Sequence, residues 1–309
     1  MKPFKILLTE HIDVNAMKTL EEYCTITQDV NEIDVVDGII IRAEKVTRDM
    51  IAKAKNLKVI GKHGVGYDSI DIKAAKEYGI NVVYTPQANI QSVGELIIAL
   101  AMNMARNVSL SFERGKQDKN KTIAPKELTG YQLSKKTFGI VGAGKISRIA
   151  ATIAKQGFNM EVLAYDPYIS REECDQLGIQ KVDLDLLMTS ADFVSISVPL
   201  TENTKHLINE SKLQLMKPSA ILINTSRGGV VDEEALYNAL IHKHIYAAAS
   251  DVFVKEPPTS ENKLLSLENF VATPHIGANT HEAMALMGST VVNEVLLVLR
   301  DEKPNYSVL

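Results

Sequence analysis

The chain has 309 residues. A single hydrophobic core rarely supports a chain of this length, so we expect two domains. Its residues are 45% hydrophobic and 23% charged, with a formal net charge of −4, an ordinary balance for a globular protein. Because the two signs of charge are interspersed, we predict binding neither to nucleic acid nor to an anionic membrane.

The cysteines and the apolar runs indicate the compartment. Cys24 and Cys174 stand far apart, in no metal-ligand spacing. We therefore predict no metal site, and free thiols in a reducing cytoplasm. The N-terminal apolar run is too short for a signal peptide, and the longest apolar stretch, at 96–105, is too short to cross a bilayer.

Short apolar runs rich in β-forming residues alternate with helical patterns along most of the chain. The predicted strands are 5–8, 38–41, 59–61, 82–84, 138–141, 162–165, 193–197, 220–224, 247–250 and 270–272. This alternation is typical of parallel sheets covered by helices on both faces. A long helical pattern at 92–114 separates the first four strands from the rest, and a last helix is predicted at 282–299.

A glycine-rich turn follows the predicted strand 138–141. Gly142-Ala143-Gly144-Lys145-Ile146-Ser147 leads into a helical pattern, and the next strand ends on Asp166. Strand, Gly-x-Gly turn, helix, strand and acidic residue form the dinucleotide-binding unit, whose glycines admit a pyrophosphate and whose acid accepts hydrogen bonds from a ribose. Ser147 replaces the third glycine of this motif. We expect only a slight shift in helix packing from it.

Polar side chains follow three later strands, at the sheet edge where α/β proteins bind ligands. Arg227 lies before two glycines and can present its planar fork to a carboxylate. Asp251 leaves an apolar strand, Glu256 precedes two prolines, and His275 follows the last strand. Hydride transfer at a carbonyl needs a proton partner that titrates near neutral pH, which histidine supplies, and a neighbouring carboxylate stabilises its charged form. Arg227, Glu256 and His275 thus predict a 2-hydroxy acid dehydrogenase site.

These features resemble the D-isomer-specific 2-hydroxyacid dehydrogenase family, and within it the phosphoglycerate dehydrogenases. The motifs that carry the resemblance are 64–71, 142–147, 198–201, 224–228, 251–257 and 273–277. The resemblance implies two doubly wound parallel-sheet domains, a flavodoxin-like substrate domain (1–98 plus 282–309) and a Rossmann domain (99–281) that binds NAD. It also implies a homodimer or homotetramer acting on a small 2-hydroxy or 2-keto acid.

The resemblance also implies roles for individual residues. Arg227 would anchor the substrate carboxylate, His275 would act as acid and base, and Glu256 would be its partner. The implied cofactor-binding residues are Gly142, Gly144, Lys145, Ile146, Asp166, Pro199, Thr204, Thr225, Asp251, His275 and Gly277. The implied substrate-binding residues are Lys62, His63, Gly64, Val65, Gly66 and Arg227.

The loop at 61–64 departs from the family. It reads Gly-Lys-His-Gly where the family usually has Gly-Arg-Ala-Gly. Two basic side chains, Lys62 and His63, suggest a second anion on the substrate, such as the phosphate of 3-phosphohydroxypyruvate; a loop histidine facing solvent is the plainer alternative. A hydroxypyruvate or glyoxylate reductase with the same site, and a non-catalytic NAD-sensing protein on the same fold, remain open.

Overall fold

The computed structural model describes residues 2–309. Its helices are α1 (Val14–Tyr23), α2 (Arg48–Lys53), α3 (Ile72–Glu77), α4 (Ile90–Ala105), α5 (Val108–Lys116), α6 (Lys145–Phe158), α7 (Arg171–Gln176), α8 (Leu184–Ser190), α9 (Glu210–Leu215), α10 (Glu233–Ile241) and α11 (His281–Leu299). Its strands are β1 (Phe4–Leu8), β2 (Cys24–Thr27), β3 (Gly38–Ile41), β4 (Val59–Lys62), β5 (Asn81–Val83), β6 (Thr137–Val141), β7 (Glu161–Tyr165), β8 (Gln180–Lys181), β9 (Phe193–Ile196), β10 (Ile221–Asn224), β11 (Ala247–Ser250) and β12 (Phe270–Ala272).

The chain divides into two compact units. Unit 1 runs up to Ser92 and resumes at Ala278–Leu309, and unit 2 is Val93–Gly277. The predicted boundaries, at 98/99 and 281/282, lie a few residues further along the chain. The first passage between the units falls inside α4, close to its beginning.

Unit 1 contains a 5-stranded parallel sheet with the order β2-β1-β3-β4-β5. This is the flavodoxin-like order, in which helices cover both faces. One buried cluster joins the sheet to α1 and α11, and the other joins it to α2 and α3. A Cβ atom at Gly61 of β4 would lie 2.6 Å from a methyl group of Val295 and 2.9 Å from one of Val291, so α11 packs directly on this strand.

Helix α11 is long and apolar enough to cross a bilayer by length and composition. Its side chains Val291, Val292 and Val295 are nevertheless buried in the cluster that covers the unit 1 sheet. The core of the unit therefore accounts for the apolar character of this helix.

Unit 2 contains a 7-stranded parallel sheet with the order β12-β11-β10-β9-β6-β7-β8. If β6 is numbered as the first strand of the unit and β12 as the seventh, this is the doubly wound order of a Rossmann fold with one additional strand at the β12 edge. One buried cluster includes α4 and α6, and the other includes α8, α9 and α10. The predicted fold class is confirmed for both units.

Two local features differ from the sequence expectation. The helical pattern at 92–114 forms two helices, because Asn107, between α4 and α5, is left-handed (φ 53°) and donates to Leu128 O and the Tyr246 hydroxyl. The sequence patterns also did not reveal β2, an edge strand of the unit 1 sheet, or β8, an edge strand of the unit 2 sheet. Edge strands are short and only half covered, so their apolar signal is weak.

Candidate active site

The glycine turn connects β6, in the interior of the unit 2 sheet, to α6. Gly142 has φ +91°, and a Cβ atom there would lie 2.6 Å from the carbonyl oxygen of Ser197, so only glycine fits. Gly144 precedes α6 and has no heavy atom within 4 Å of its Cβ position. No side chain caps the N-terminus of α6, so its first N–H groups can receive an anion.

Asp166 lies at the end of β7 and contacts this turn. Its carboxylate accepts hydrogen bonds from the N–H groups of Ala143 and Tyr168, both at 2.8 Å. The acid and the glycine turn are therefore adjacent, as the dinucleotide-binding motif requires. Ser147 is fully buried in α6, so the residue that replaces the third glycine is accommodated within the packed helix.

The ends of β9 and β10 carry further predicted cofactor residues. Thr204 donates to Pro199 O at 2.5 Å and closes the loop after β9. The hydroxyls of Ser197 and Thr225 are buried and make no hydrogen bond within residues 2–309. Uncapped N–H groups, a turn open above Gly144 and unpaired hydroxyls fit a dinucleotide. Lys145 and Ile146 begin the helix that would receive its pyrophosphate.

His275 and Glu256 are joined by a hydrogen bond. Nδ1 of His275 lies 2.8 Å from Oε2 of Glu256, and the other carboxylate oxygen accepts the N–H of Phe253 at 2.9 Å. The His275 side chain is 50% exposed. The imidazole is thus oriented by a fixed carboxylate while half of its surface remains open to a reactant.

Arg227 is close enough to Glu256 to affect its titration. Burial raises the pKa of Glu256, but hydrogen bonds from His275 and Phe253 and the charges of His275 and Arg227 outweigh it, so the pKa is lowered. The structure therefore brings together the three residues that the sequence predicted as catalytic, at the ends of β10, β11 and β12.

The turn that carries Arg227 is fixed by its neighbours. Asn224, at the end of β10, donates to the Arg227 carbonyl at 3.1 Å and accepts from Ser226 N at 3.0 Å. A Cβ atom at Gly228 would lie 2.0 Å from the carbonyl carbon of Phe253. Only glycine allows this turn to reach the backbone of the Glu256 loop.

Asp251 holds the loop that contains His275. Its carboxylate is 2% exposed and accepts hydrogen bonds from the Thr273 hydroxyl at 2.6 Å and from the N–H groups of Ile276 and Gly277, both at 2.8 Å. Its carbonyl accepts the N–H of His275 at 2.9 Å. The contact that the sequence predicted between Asp251 and a cofactor stays a prediction.

In unit 1, the predicted substrate loop follows β4. Lys62 is 7% exposed and its ammonium group donates to the carbonyl of Arg42. Gly64 has φ +151°, and its carbonyl accepts the N–H of Thr85 at 3.0 Å. Val65 and Gly66, which follow it, are half-buried.

The structure corrects the expected role of His63 as a second cation, and equally the alternative of a solvent-facing histidine. His63 is 1% exposed, and neither ring nitrogen makes a hydrogen bond within residues 2–309. Burial, and then the charges of Arg42 and Lys62, lower its pKa to about 4, although Glu10 opposes the shift. His63 is therefore neutral at pH 7.

Sequence reasoning missed Arg42 and Glu10. Arg42 follows β3 directly, and the carboxylate of Glu10, in the loop after β1, accepts the N–H groups of Arg42 and Ala43. Both residues lie near enough to His63 to influence its pKa. The sequence signal for both is a polar residue within two positions of the end of a unit 1 strand.

Comparisons with known proteins give one matching family model and several relatives. Residues 98–277 match the family model "D-isomer specific 2-hydroxyacid dehydrogenase, NAD binding domain". The chain is 42% identical over 311 residues to D-3-phosphoglycerate dehydrogenase of Methanocaldococcus jannaschii, covering 96% of this chain and 58% of that protein. It is 45% identical over 269 residues to hydroxypyruvate reductase of Thermotoga maritima, covering 85% of each.

The crystal structure of the TT0316 protein from Thermus thermophilus is similar over 99% of this chain and 100% of that one, with a TM-score of 0.92 and 31% identity. The chain spans little more than half the length of the curated phosphoglycerate dehydrogenases that it matches.

Proposed function

The chain belongs to the D-isomer-specific 2-hydroxyacid dehydrogenase family, and we propose that it interconverts a D-2-hydroxy acid and its 2-keto acid with NAD as the hydride carrier. The observation that carries this proposal is the 2.8 Å bond between His275 and Glu256, beside the charge of Arg227. A protein that only senses NAD needs none of these three residues in this arrangement.

Each residue has a separate task in this proposal. The planar fork of Arg227 binds the substrate carboxylate and thereby fixes the neighbouring carbon. His275 gives a proton to the carbonyl oxygen during reduction and takes it back from the hydroxyl during oxidation. Glu256 stays ionised because its pKa is lowered, so it holds Nδ1 and stabilises the imidazolium. Bound NAD supplies or accepts the hydride.

For the substrate we propose the pair 3-phosphoglycerate and 3-phosphohydroxypyruvate, a step of serine biosynthesis. Two cations support this choice, because both Arg42 and Lys62 lower the pKa of His63 and so lie near one another at the ends of β3 and β4. A phosphate oxygen is a strong partner for such groups.

A hydroxypyruvate or glyoxylate reductase is the second candidate. It is favoured by the neutrality of His63 and by the carbonyl of Arg42 that already binds the Lys62 ammonium. The neutral His63 supplies no charge for a second anion, and the Lys62 ammonium already uses one of its donors on the protein itself.

The rate of NADH oxidation over a panel of 2-keto acids tests both substrate proposals. The panel contains 3-phosphohydroxypyruvate, hydroxypyruvate and glyoxylate. If phosphate is recognised, Lys62→Ala lowers kcat/KM about ten- to a hundredfold on the phosphorylated acid and hardly changes it on the others, because a charge-assisted contact contributes about 1.5–3 kcal/mol. Lys73→Ala, an exposed lysine of α3, is the matched control.

Two further outcomes separate the alternatives. Equal losses on all substrates assign Lys62 to loop structure and favour hydroxypyruvate reduction. An absence of turnover with every acid, while NADH still binds, would instead support an NAD-sensing protein. Light scattering tests the predicted homodimer or homotetramer.

A further inference from the structure

We propose that Asp251 is a positioning residue: it holds the backbone of the 273–277 loop in the left-handed turn that aims His275 at Glu256. This inference rests on the function proposed above. In this proposal Asp251 binds the backbone of the protein's own His275 loop, in addition to the predicted contact with the cofactor.

The three successive N–H groups of His275, Ile276 and Gly277 all donate to Asp251. The first donates to its carbonyl oxygen, and the next two donate to the two carboxylate oxygens. Converging N–H groups of this kind form an anion-binding concavity in the backbone. Here the anion is a side chain of the same unit, 2% exposed and fixed at the end of β11.

The loop needs such support because His275 has φ +53°. Residues other than glycine rarely adopt this left-handed conformation, and they keep it only when the surrounding structure enforces it. The same turn places Nδ1 of His275 at 2.8 Å from Glu256. If the N–H groups lost Asp251, the loop would be free to relax, and the imidazole would leave its partner.

Gly277 shows how closely Asp251 fits the loop. A Cβ atom at this position would lie 3.1 Å from Oδ2 of Asp251 and 3.3 Å from a methyl group of Val93. A side chain here would require the carboxylate or Val93 to shift by a few tenths of an ångström. This close approach favours glycine at position 277.

The first test is Asp251→Asn, in which an amide NH₂ group faces an N–H donor. We expect kcat to fall about ten- to a hundredfold, since a displacement of about 1 Å costs roughly 10²-fold. Hydrogen exchange at the amides of residues 275–277 should accelerate, and exchange at β11 should not.

Thr273 provides a matched pair that leaves Asp251 in place. Thr273→Val removes one donor to the carboxylate and should lower kcat about two- to tenfold, with faster exchange at 275–277. Thr273→Ser keeps the hydroxyl and should restore both values. This pair decides the question even if Asp251→Asn does not fold.

Unchanged exchange at 275–277 in the folded variants overturns the proposal, whatever happens to kcat. A raised KM for NADH with kcat and exchange unchanged would make Asp251 a cofactor ligand only. If the native protein turns over no 2-keto acid, the proposed function fails, but hydrogen exchange still tests whether Asp251 holds the loop.

Discussion

Two histidines, one in each unit, follow strands of a parallel sheet and have opposite environments. His63 comes directly after β4, is 1% exposed, and has a pKa lowered to about 4. His275 follows β12, its side chain is 50% exposed, and its Nδ1 is bonded to Glu256. Both histidines thus lie at the end of a strand, but burial and hydrogen-bond partners determine whether the imidazole can be protonated and can reach a reactant.

The largest expected effect is that of His275→Asn. Turnover should fall about 10²–10⁴-fold, because the proton partner of the reaction is lost. NADH binding, measured by titration calorimetry, should remain, since the glycine turn and Asp166 are unchanged. A variant that keeps more than about a tenth of the native rate would show that His275 is not the acid and base of the reaction. The two histidines would then not differ in catalytic role.

Arg227→Lys tests whether the charge beside Glu256 reads the substrate. A point charge cannot reproduce two parallel hydrogen bonds to a carboxylate, so KM for the acid should rise about ten- to a hundredfold. KM for NADH should stay near its native value. The opposite pattern, a raised cofactor KM alone, would place Arg227 in the nucleotide site.

His63→Ala tests, through the pH dependence of stability, whether His63 is neutral in the folded protein. The folded protein binds a proton on His63 only near pH 4, whereas the unfolded chain binds one near pH 6.5. Stability is therefore lost as the pH falls from 6.5 toward 4. By linkage, the native protein should lose about 2 kcal/mol more than the variant between pH 7.5 and pH 5.

The measurement is the free energy of unfolding in urea at both pH values. The cavity left by His63→Ala has the same cost at either pH, so the difference between the two values isolates the titration. Equal losses in both proteins would show that His63 is not buried as a neutral ring.

The smallest expected effect concerns Asp166 and the choice of dinucleotide. Its carboxylate accepts a hydrogen bond from the N–H of Ala143. The negative charge of this carboxylate would repel the 2′-phosphate of NADP. We expect kcat/KM for NADH to exceed that for NADPH by about tenfold or more. Comparable efficiencies would show that a nearby cation, such as Arg171, compensates.

The sequence predicted the fold well wherever the pattern was strong. The run from β6 through α6 to Asp166 was found because glycines, an apolar strand and an amphipathic helix coincide there. β2 was missed because Thr25 and Thr27 alternate with apolar residues at a sheet edge, directly after α1 and without a turn residue. The break at Asn107 was missed because a left-handed asparagine leaves no mark in the helical pattern.

For the site, proximity to strand ends suggested Arg227, Glu256 and His275 as one group, and the structure brings these three residues together. It could not place His63, because the packing around a loop depends on residues far away in the chain, here Glu10 and Arg42. It also could not foresee that Asp251 would use its carboxylate on Ile276 and Gly277. Such hydrogen bonds depend on φ and ψ angles that the residue types do not determine.

The packing of α11 on Gly61 has a consequence for synthesis on the ribosome. Unit 1 is interrupted by all of unit 2, so its sheet leaves the ribosome before the helix that covers one of its faces. At 5–20 residues per second, roughly 10–40 s separate Ser92 from α11. During that interval one apolar face of the sheet stays uncovered while unit 2 is completed. Unit 1 thus begins before unit 2 on the ribosome and is completed after it, and a chaperone has most to protect there.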